Sequence, residues 1–262
     1  MFDNVTLRKD RAVHQTIEIS EVKLEVCSVC QNDCAECAHG ELRLQTKKYQ
    51  LSMEQVRDFI KFTEESNYLI HQLSIHGGGE PLLWKNFNEA LPLFGQSTAI
   101  KSIVVTTNGL AIKRIDNEAW QHIDTLNISF YDDQPNALLE DTTVAKYGHK
   151  IHVEHIPYFF SRIKNSSEVF KIPSKCMCSG PMILENNVFP YCGPPVFDAA
   201  QIMGIDIWKL NGIYKKIEQN YLSEFDPSLR GNMEICRYCW ANSNYIKEKR
   251  IVPQSITGGC WQ

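Results

Sequence analysis

The sequence has no apolar run long enough to span a bilayer, no internal repeat and no low-complexity tract, so transmembrane, solenoid and disordered readings fall away. The opening residues, MFDNVTLRKDRAVHQ, lack the apolar stretch of a signal peptide, which sets the expectation of a cytoplasmic compartment. An excess of either charge is missing too. Lys and Arg number 27 against 31 Asp and Glu, for a net charge of −4, so there is no basic footprint for nucleic acid or an anionic membrane. A GxGxxG dinucleotide fingerprint is absent as well, which turns the search for redox chemistry away from nicotinamide. What remains is an ordinary globular composition, 262 residues with 43% hydrophobic. That length buries a core as one α/β domain or as a domain with a small annex.

One quantity is out of line. There are ten cysteines, clustered as Cys27, Cys30, Cys34 and Cys37, then Cys176, Cys178 and Cys192, then Cys236 and Cys239, with Cys260 near the end. Persistent disulfides are a poor explanation in a reducing compartment. Close cysteine spacing there points to metal or cluster ligation, or to catalysis.

From residue 22 to about 157, β-rich runs alternate with amphipathic stretches. The pattern predicts strands at 22–26, 71–76, 102–107, 125–130 and 150–156. Helices are expected at 53–66, 84–95 and 115–123, with a weaker one near 135–147. Ser52 with Gln55 three residues on forms a capping box for the first helix. Such alternation argues for βαβ units and a parallel sheet, and five units are too few to close an eight-stranded barrel. The expected fold class is therefore α/β, an open, partial TIM-like β/α barrel. Beyond residue 160 the pattern changes to a polar stretch, a hairpin over 182–191 turning at Asn186-Asn187, and a helix over 205–222. The expected division is a barrel over 1–165 and a cluster-binding annex of hairpin plus helix over 166–262.

The first cysteine group reads Cys30-Gln31-Asn32-Asp33-Cys34-Ala35-Glu36-Cys37, a C-x3-C-x2-C loop directly after the first predicted strand. Three thiolates on one loop suit a multi-iron cluster, and three ligands for four irons leave one iron open to a substrate. A zinc site with Cys27 as fourth ligand is the alternative. Three further motifs follow in order, each at the end of a predicted strand: HGGGEP at 76–81, TTNG at 106–109 and NISF at 127–130. Together with the cysteine loop they resemble the radical S-adenosylmethionine (SAM) superfamily over residues 20–157.

The resemblance implies roles residue by residue. Cys30, Cys34 and Cys37 would hold a [4Fe–4S] cluster whose open iron chelates SAM. Gly78, Gly79, Glu80 and Pro81 match the motif that contacts the methionine amino group, where glycines expose backbone and a carboxylate offsets an ammonium. Thr107, Asn108, Asn127 and Ser129 are candidates for the SAM carboxylate and ribose hydroxyls, with a plain Asn-Gly turn as the alternative for Asn108. The family usually has an aromatic residue where Glu36 stands, beside the adenine, which leaves the adenine contacts open.

In the second group, Cys178 and Cys192 flank the expected hairpin, and Cys236-Arg237-Tyr238-Cys239 follows. A hairpin pair and a distant C-x2-C can converge on one four-thiolate site, for structural zinc or for a cluster. The layout resembles the Twitch annex, a shortened SPASM domain, which implies one auxiliary [4Fe–4S] cluster on Cys178, Cys192, Cys236 and Cys239. Tyr245 and Lys249 stand where the full SPASM pattern has further cysteines. Cys176 competes with Cys178 as first ligand, and Cys178 is preferred because it leads into the apolar strand. Cys27, Cys176 and Cys260 are left over.

Superfamily chemistry implies reductive cleavage of SAM to a 5′-deoxyadenosyl radical, supplied with electrons by a low-potential donor such as flavodoxin or ferredoxin. The overall layout resembles the 2-deoxy-scyllo-inosamine dehydrogenase family, which implies oxidation of an alcohol on a small polar substrate. No nucleic-acid or membrane partner is expected. His152, Glu154, His155 and Arg162 are placed to take the hydroxyl proton, although core or surface roles are the commoner fate of such residues. An epimerase using a spare cysteine such as Cys260, a peptide maturase, and a zinc-binding interaction protein without catalysis are the competing readings.

Overall fold

The structure is a computed structural model that describes residues 16–34, 49–76, 78–131 and 142–156, and beyond them the short strands 158–160, 182–184, 187–189, 215–216, 251–253 and 256–257. In chain order the strands are β1 (Ile17–Ile19), β2 (Val22–Glu25), β3 (Asp33–Cys34), β4 (Tyr68–Ile70), β5 (Leu73–His76), β6 (Ile103–Thr107) and β7 (Thr125–Phe130). They continue as β8 (Ile151–His155), β9 (Tyr158–Phe160), β10 (Met182–Leu184), β11 (Asn187–Phe189), β12 (Lys215–Lys216), β13 (Ile251–Pro253) and β14 (Ile256–Thr257). The helices are α1 (Met53–Glu65), α2 (Phe87–Gln96), α3 (Asn117–His122) and α4 (Thr142–Tyr147). None of the described helices is long and apolar enough to cross a membrane.

The main sheet has the order β12-β11-β10-β2-β5-β6-β7-β8. Its pairs from β10 through β2, β5, β6 and β7 to β8 are all parallel. This is the open, mostly parallel arrangement expected of a partial barrel. The five strands over residues 22–156 fall where the sequence places them, except that β4 and β5 are separate strands around His71 and Gln72.

Alternation along these strands decides the layers. Leu24, Ile75, Val105, Leu126 and Ile128 are buried, whereas the residues between them, Lys23, Ser74, Thr106, Asn127 and Ser129, are polar and line a common cleft. The apolar face packs beneath the helices. There Phe59 of α1 meets Phe94 of α2 edge to face at 6.3 Å between ring centroids, and Trp120 stacks on Tyr147 at 4.6 Å. Trp84, fully buried, donates its indole N–H to the Leu51 carbonyl at 2.7 Å and so anchors the chain entering α1. The expected capping box is formed, with Gln55 N–H donating to Ser52 Oγ at 3.2 Å and Ser52 N–H to Gln55 Oε1 at 2.9 Å.

Three expectations need correction beyond residue 156. The helix expected over 205–222 does not hold at Lys215–Lys216, the described part of that span, which form β12 and pair antiparallel with Val188 and Asn187. A pair of lysines is suited to the exposed edge of a sheet, and tertiary pairing here overrides a helical pattern. In the hairpin, Leu184 pairs with Asn187, so Asn187 belongs to β11 and the turn falls one residue earlier than expected. Strands near the C-terminal end were not expected at all. There β13 pairs with β9, and β14 pairs with β3, setting Ile256 opposite Cys34. The boundary expected near residue 165 lies outside the described residues.

The loops at the carboxyl ends of β2, β5 and β6 are joined by hydrogen bonds. Gly79 N–H donates to the Cys27 carbonyl at 2.8 Å and Glu80 N–H to the Val29 carbonyl at 2.6 Å. A Cβ on Gly79 would sit 2.0 Å from the Val29 oxygen, so only glycine permits this approach. The Glu80 side chain then turns inward. Its Oε1 accepts from the Thr107 hydroxyl and from Leu82 N–H at 3.0 Å, and its Oε2 accepts from Asn108 N–H at 2.8 Å. The substitution Glu80→Gln replaces an acceptor with an amide donor facing one of these donors. It should lower unfolding stability by about 1–3 kcal/mol, read from urea denaturation; an unchanged midpoint would show that the brace carries no weight.

Candidate SAM and cluster site

The polar face of the sheet and the three joined loops enclose a cleft of about 420 Å³. Ten of the site residues named from sequence line it together. Cys30 and Cys34 come from the cysteine loop, Gly78, Gly79, Glu80 and Pro81 from the end of β5, Thr107 and Asn108 from the end of β6, and Asn127 and Ser129 from β7. Cys37, Cys178, Cys192, Cys236 and Cys239 lie outside the described residues, as do Cys176 and Cys260.

Glu80 is placed differently from a carboxylate held out for an ammonium. It is 2% exposed and engaged by three donors from its own protein. Burial raises its carboxyl above the usual carboxylate range, while the bonds from Thr107, Asn108 and Leu82 pull it partly back. Asn108 serves as turn and as cleft wall at once. Its Oδ1 accepts from Leu110 N–H at 3.0 Å ahead of Gly109, whose φ is 76°, and also from Gln31 Nε2 at 3.3 Å. That last bond fastens the cysteine loop to the end of β6.

Cys27 does not belong with the cleft thiols. It is buried, and its Sγ donates to the Glu80 carbonyl at 3.2 Å. Burial pushes the thiol from 9.0 up to about 12, a backbone hydrogen bond with Val29 opposes this, and the negative charges of Glu80, Glu25 and Cys30 add to it. Cys27 is not among the residues that line the cleft with Cys30 and Cys34, so the geometry does not group it with them as a fourth ligand.

Among the cleft residues that sequence reasoning did not single out, three bear on the chemistry. Lys23 lines it from β2. His76, read only as the start of a glycine motif, lines it from β5 with Nδ1 3.2 Å from Oε1 of the fully buried Glu25. Strict alternation places both on the polar face, and that signal was available. Asn32 also lines the cleft, 4% exposed, and no simple pattern marks it. By contrast His152, Glu154 and His155 are exposed on β8 and do not line the cleft, and Arg162 is outside the described residues.

The residues present fit an anionic, sulfur-rich group. Two thiols of one loop face the cleft, and Asn32 N–H points to Cys30 Sγ at 3.4 Å. The Asn32 side-chain amide is buried with no hydrogen-bond partner for Nδ2 among the described residues, so a donor is held ready for an acceptor that those residues do not provide.

No protein-family model matches the chain. A GTP 3',8-cyclase of Actinobacillus pleuropneumoniae serotype 7 (strain AP76) is 29% identical over 130 residues, 48% of this chain and 36% of that protein. The GTP 3',8-cyclase of serotype 3 (strain JL03) is 28% identical over the same shares. The chain thus spans 36% of the length of the curated relatives it matches. Among solved structures, the crystal structure of BtrN in complex with AdoMet and 2-DOIA is similar with a TM-score of 0.52. The likeness covers 86% of this chain and 94% of that one at 16% identity, and it is a likeness of fold. With its motifs in order at the strand ends, one cleft lined by them and this shared fold, the chain resembles the radical SAM superfamily in sequence and in architecture.

Proposed function

We propose that this protein is a radical SAM enzyme that removes a hydrogen atom from a small polar molecule of sugar or aminocyclitol type and oxidises its alcohol. The observation that carries the reading is the cleft: every described residue that the motifs assign to cluster or SAM lines it. Cys30, Cys34 and Cys37 would hold the SAM-binding [4Fe–4S] cluster, and Cys178, Cys192, Cys236 and Cys239 one auxiliary [4Fe–4S] cluster as electron acceptor. When bound, the first cluster supplies the electron that splits SAM to methionine and a 5′-deoxyadenosyl radical. A low-potential donor such as flavodoxin or ferredoxin would deliver that electron.

The chain's own residues bind and orient. Gly78 and Gly79 bring backbone to the cleft, and Thr107, Asn108, Asn127 and Ser129 offer hydroxyl and amide groups to a carboxylate and ribose. The cleft volume lies within the range of about 300–1,000 Å³ usual for small-molecule sites. Lys23, Ser74 and Thr106 give its inner wall hydrogen-bonding groups suited to a ligand rich in hydroxyls. His76 is the one imidazole among the described residues that line the cleft, and Glu25 Oε1 lies 3.2 Å from its Nδ1. His76 therefore takes the proton of the substrate hydroxyl in this reading.

Anaerobic purification should yield about eight irons per chain with matching sulfide; zinc in place of iron would end the enzyme reading. Cys34→Ala should abolish 5′-deoxyadenosine formation, whereas Cys239→Ala should depress product turnover more than SAM cleavage. With a carbinol-deuterated aminocyclitol as probe, deuterium should enter 5′-deoxyadenosine. His76→Gln should lower ketone formation by about 10²–10⁴-fold while SAM cleavage continues. Ketone formed at the parent rate would remove His76 from the mechanism.

A further inference from the structure

Asn32 sits between Cys30 and Cys34, on the loop whose thiols face the cleft. Three observations single it out. The side chain is 4% exposed and lines the cleft. Its Nδ2 has no hydrogen-bond partner among the described residues. Its backbone N–H already points to Cys30 Sγ at 3.4 Å, so the residue is wrapped around a ligand sulfur. A buried donor left unsatisfied costs about 1–3 kcal/mol, and such a group is tolerated where a partner arrives from outside the chain. The neighbouring Gln31 is spent differently, since its Nε2 donates to Asn108 Oδ1 at 3.3 Å and holds the loop in place. The two adjacent amides thus divide the work: one fixes the loop, and the other is kept for the bound group.

We propose that Asn32 Nδ2 donates a hydrogen bond to a sulfur atom of the cluster held by Cys30, Cys34 and Cys37, and that this bond raises the cluster's reduction potential. This rests on the cluster assignment made under the proposed function. Reduction adds an electron to a cluster already rich in negative charge, and a donor aimed at its sulfur stabilises that charge more in the reduced form. The effect is enlarged where water is excluded and the dielectric is low. Asn32 is then a tuning residue for the step at which an external donor must deliver its electron.

The test is a potentiometric titration of the anaerobic holoenzyme, followed by electron paramagnetic resonance. The relevant cluster is the one whose spectrum changes when SAM is added. Asn32→Leu removes the donor at similar volume, and Asn32→Asp replaces it with an isosteric acceptor. The midpoint potential should fall in Asn32→Leu and fall further in Asn32→Asp, with iron content at the parent level in at least one of the two. Should Asn32→Leu fail to load iron, Asn32→Ser, which keeps a hydroxyl donor, should retain the cluster at a potential between those of the parent and Asn32→Asp. Midpoints equal to the parent in iron-loaded variants overturn the proposal. So does an unchanged midpoint with weakened SAM binding, which would assign Nδ2 to the SAM carboxylate instead. A parent protein that binds no iron would overturn the cluster assignment itself, and with it this inference.

Discussion

One buried carboxylate sets the geometry on which the cleft depends. Glu80 leaves the end of β5, and its side chain gathers the hydroxyl of Thr107 and the backbone N–H of Asn108 from the end of β6. Its own backbone N–H meanwhile reaches the Val29 carbonyl in the cysteine loop. Three strand ends are thereby fixed against one another by a residue with almost no access to water. Burying a carboxylate is costly, and its raised proton affinity expresses that cost. The three donors offset it, and the outcome is a rigid rim. In the proposed reaction a reactive radical must meet one C–H bond and no other, and a rim with little freedom is what such positioning requires.

The rim works only because Gly79 lacks a side chain. The carbonyl of Val29 occupies the space a Cβ would need, so the glycine motif brings two backbones together before it does anything for a ligand. Below the rim, the period of two along the strands separates two environments. Apolar residues on one face pack under the helices, and Lys23, Ser74, His76, Thr106, Asn127 and Ser129 on the other line the cleft. A parallel sheet covered on both faces would carry near-continuous apolar strands. Polar residues at alternate positions instead leave one face open to a polar ligand.

Much of this was legible in the amino-acid sequence, for physical reasons that can be named. Local signals were reliable: Ser52 and Gln55 fixed the start of α1, and alternating β-rich runs located five strands. Glycine and asparagine at strand ends marked TTNG and HGGGEP as loops facing one site, and six residues named from those motifs share the cleft with Cys30, Cys34, Asn127 and Ser129. What escaped is non-local. Whether Glu80 points to a ligand or inward depends on Thr107 and Asn108, far along the chain. The pairing of His76 with Glu25 follows from strand register, Glu25 lying opposite His76 in the β2–β5 pair. Edge pairings such as β12 with β11 and β14 with β3 have weak local signals, because two or three residues carry little periodicity.

Those edge pairings bear on how the two cysteine groups are related. The expected annex hairpin is no appendage to the sheet: β10 lies parallel beside β2, with Leu184 opposite Glu25. The strand leading to Cys27 and Cys30 thus has as its neighbour the strand of the hairpin that Cys178 and Cys192 flank in sequence. On the far side of the same loop, β14 sets Ile256 opposite Cys34. The cysteine loop is therefore held by backbone from three regions of the chain: the glycine motif, the β2 strand that feeds it, and the C-terminal segment. Sequence divides the chain into a barrel and a later segment, while hydrogen bonding makes the later segment part of the loop's support. A change near residue 256 is thus connected to Cys34 through paired backbone, although more than two hundred residues separate them.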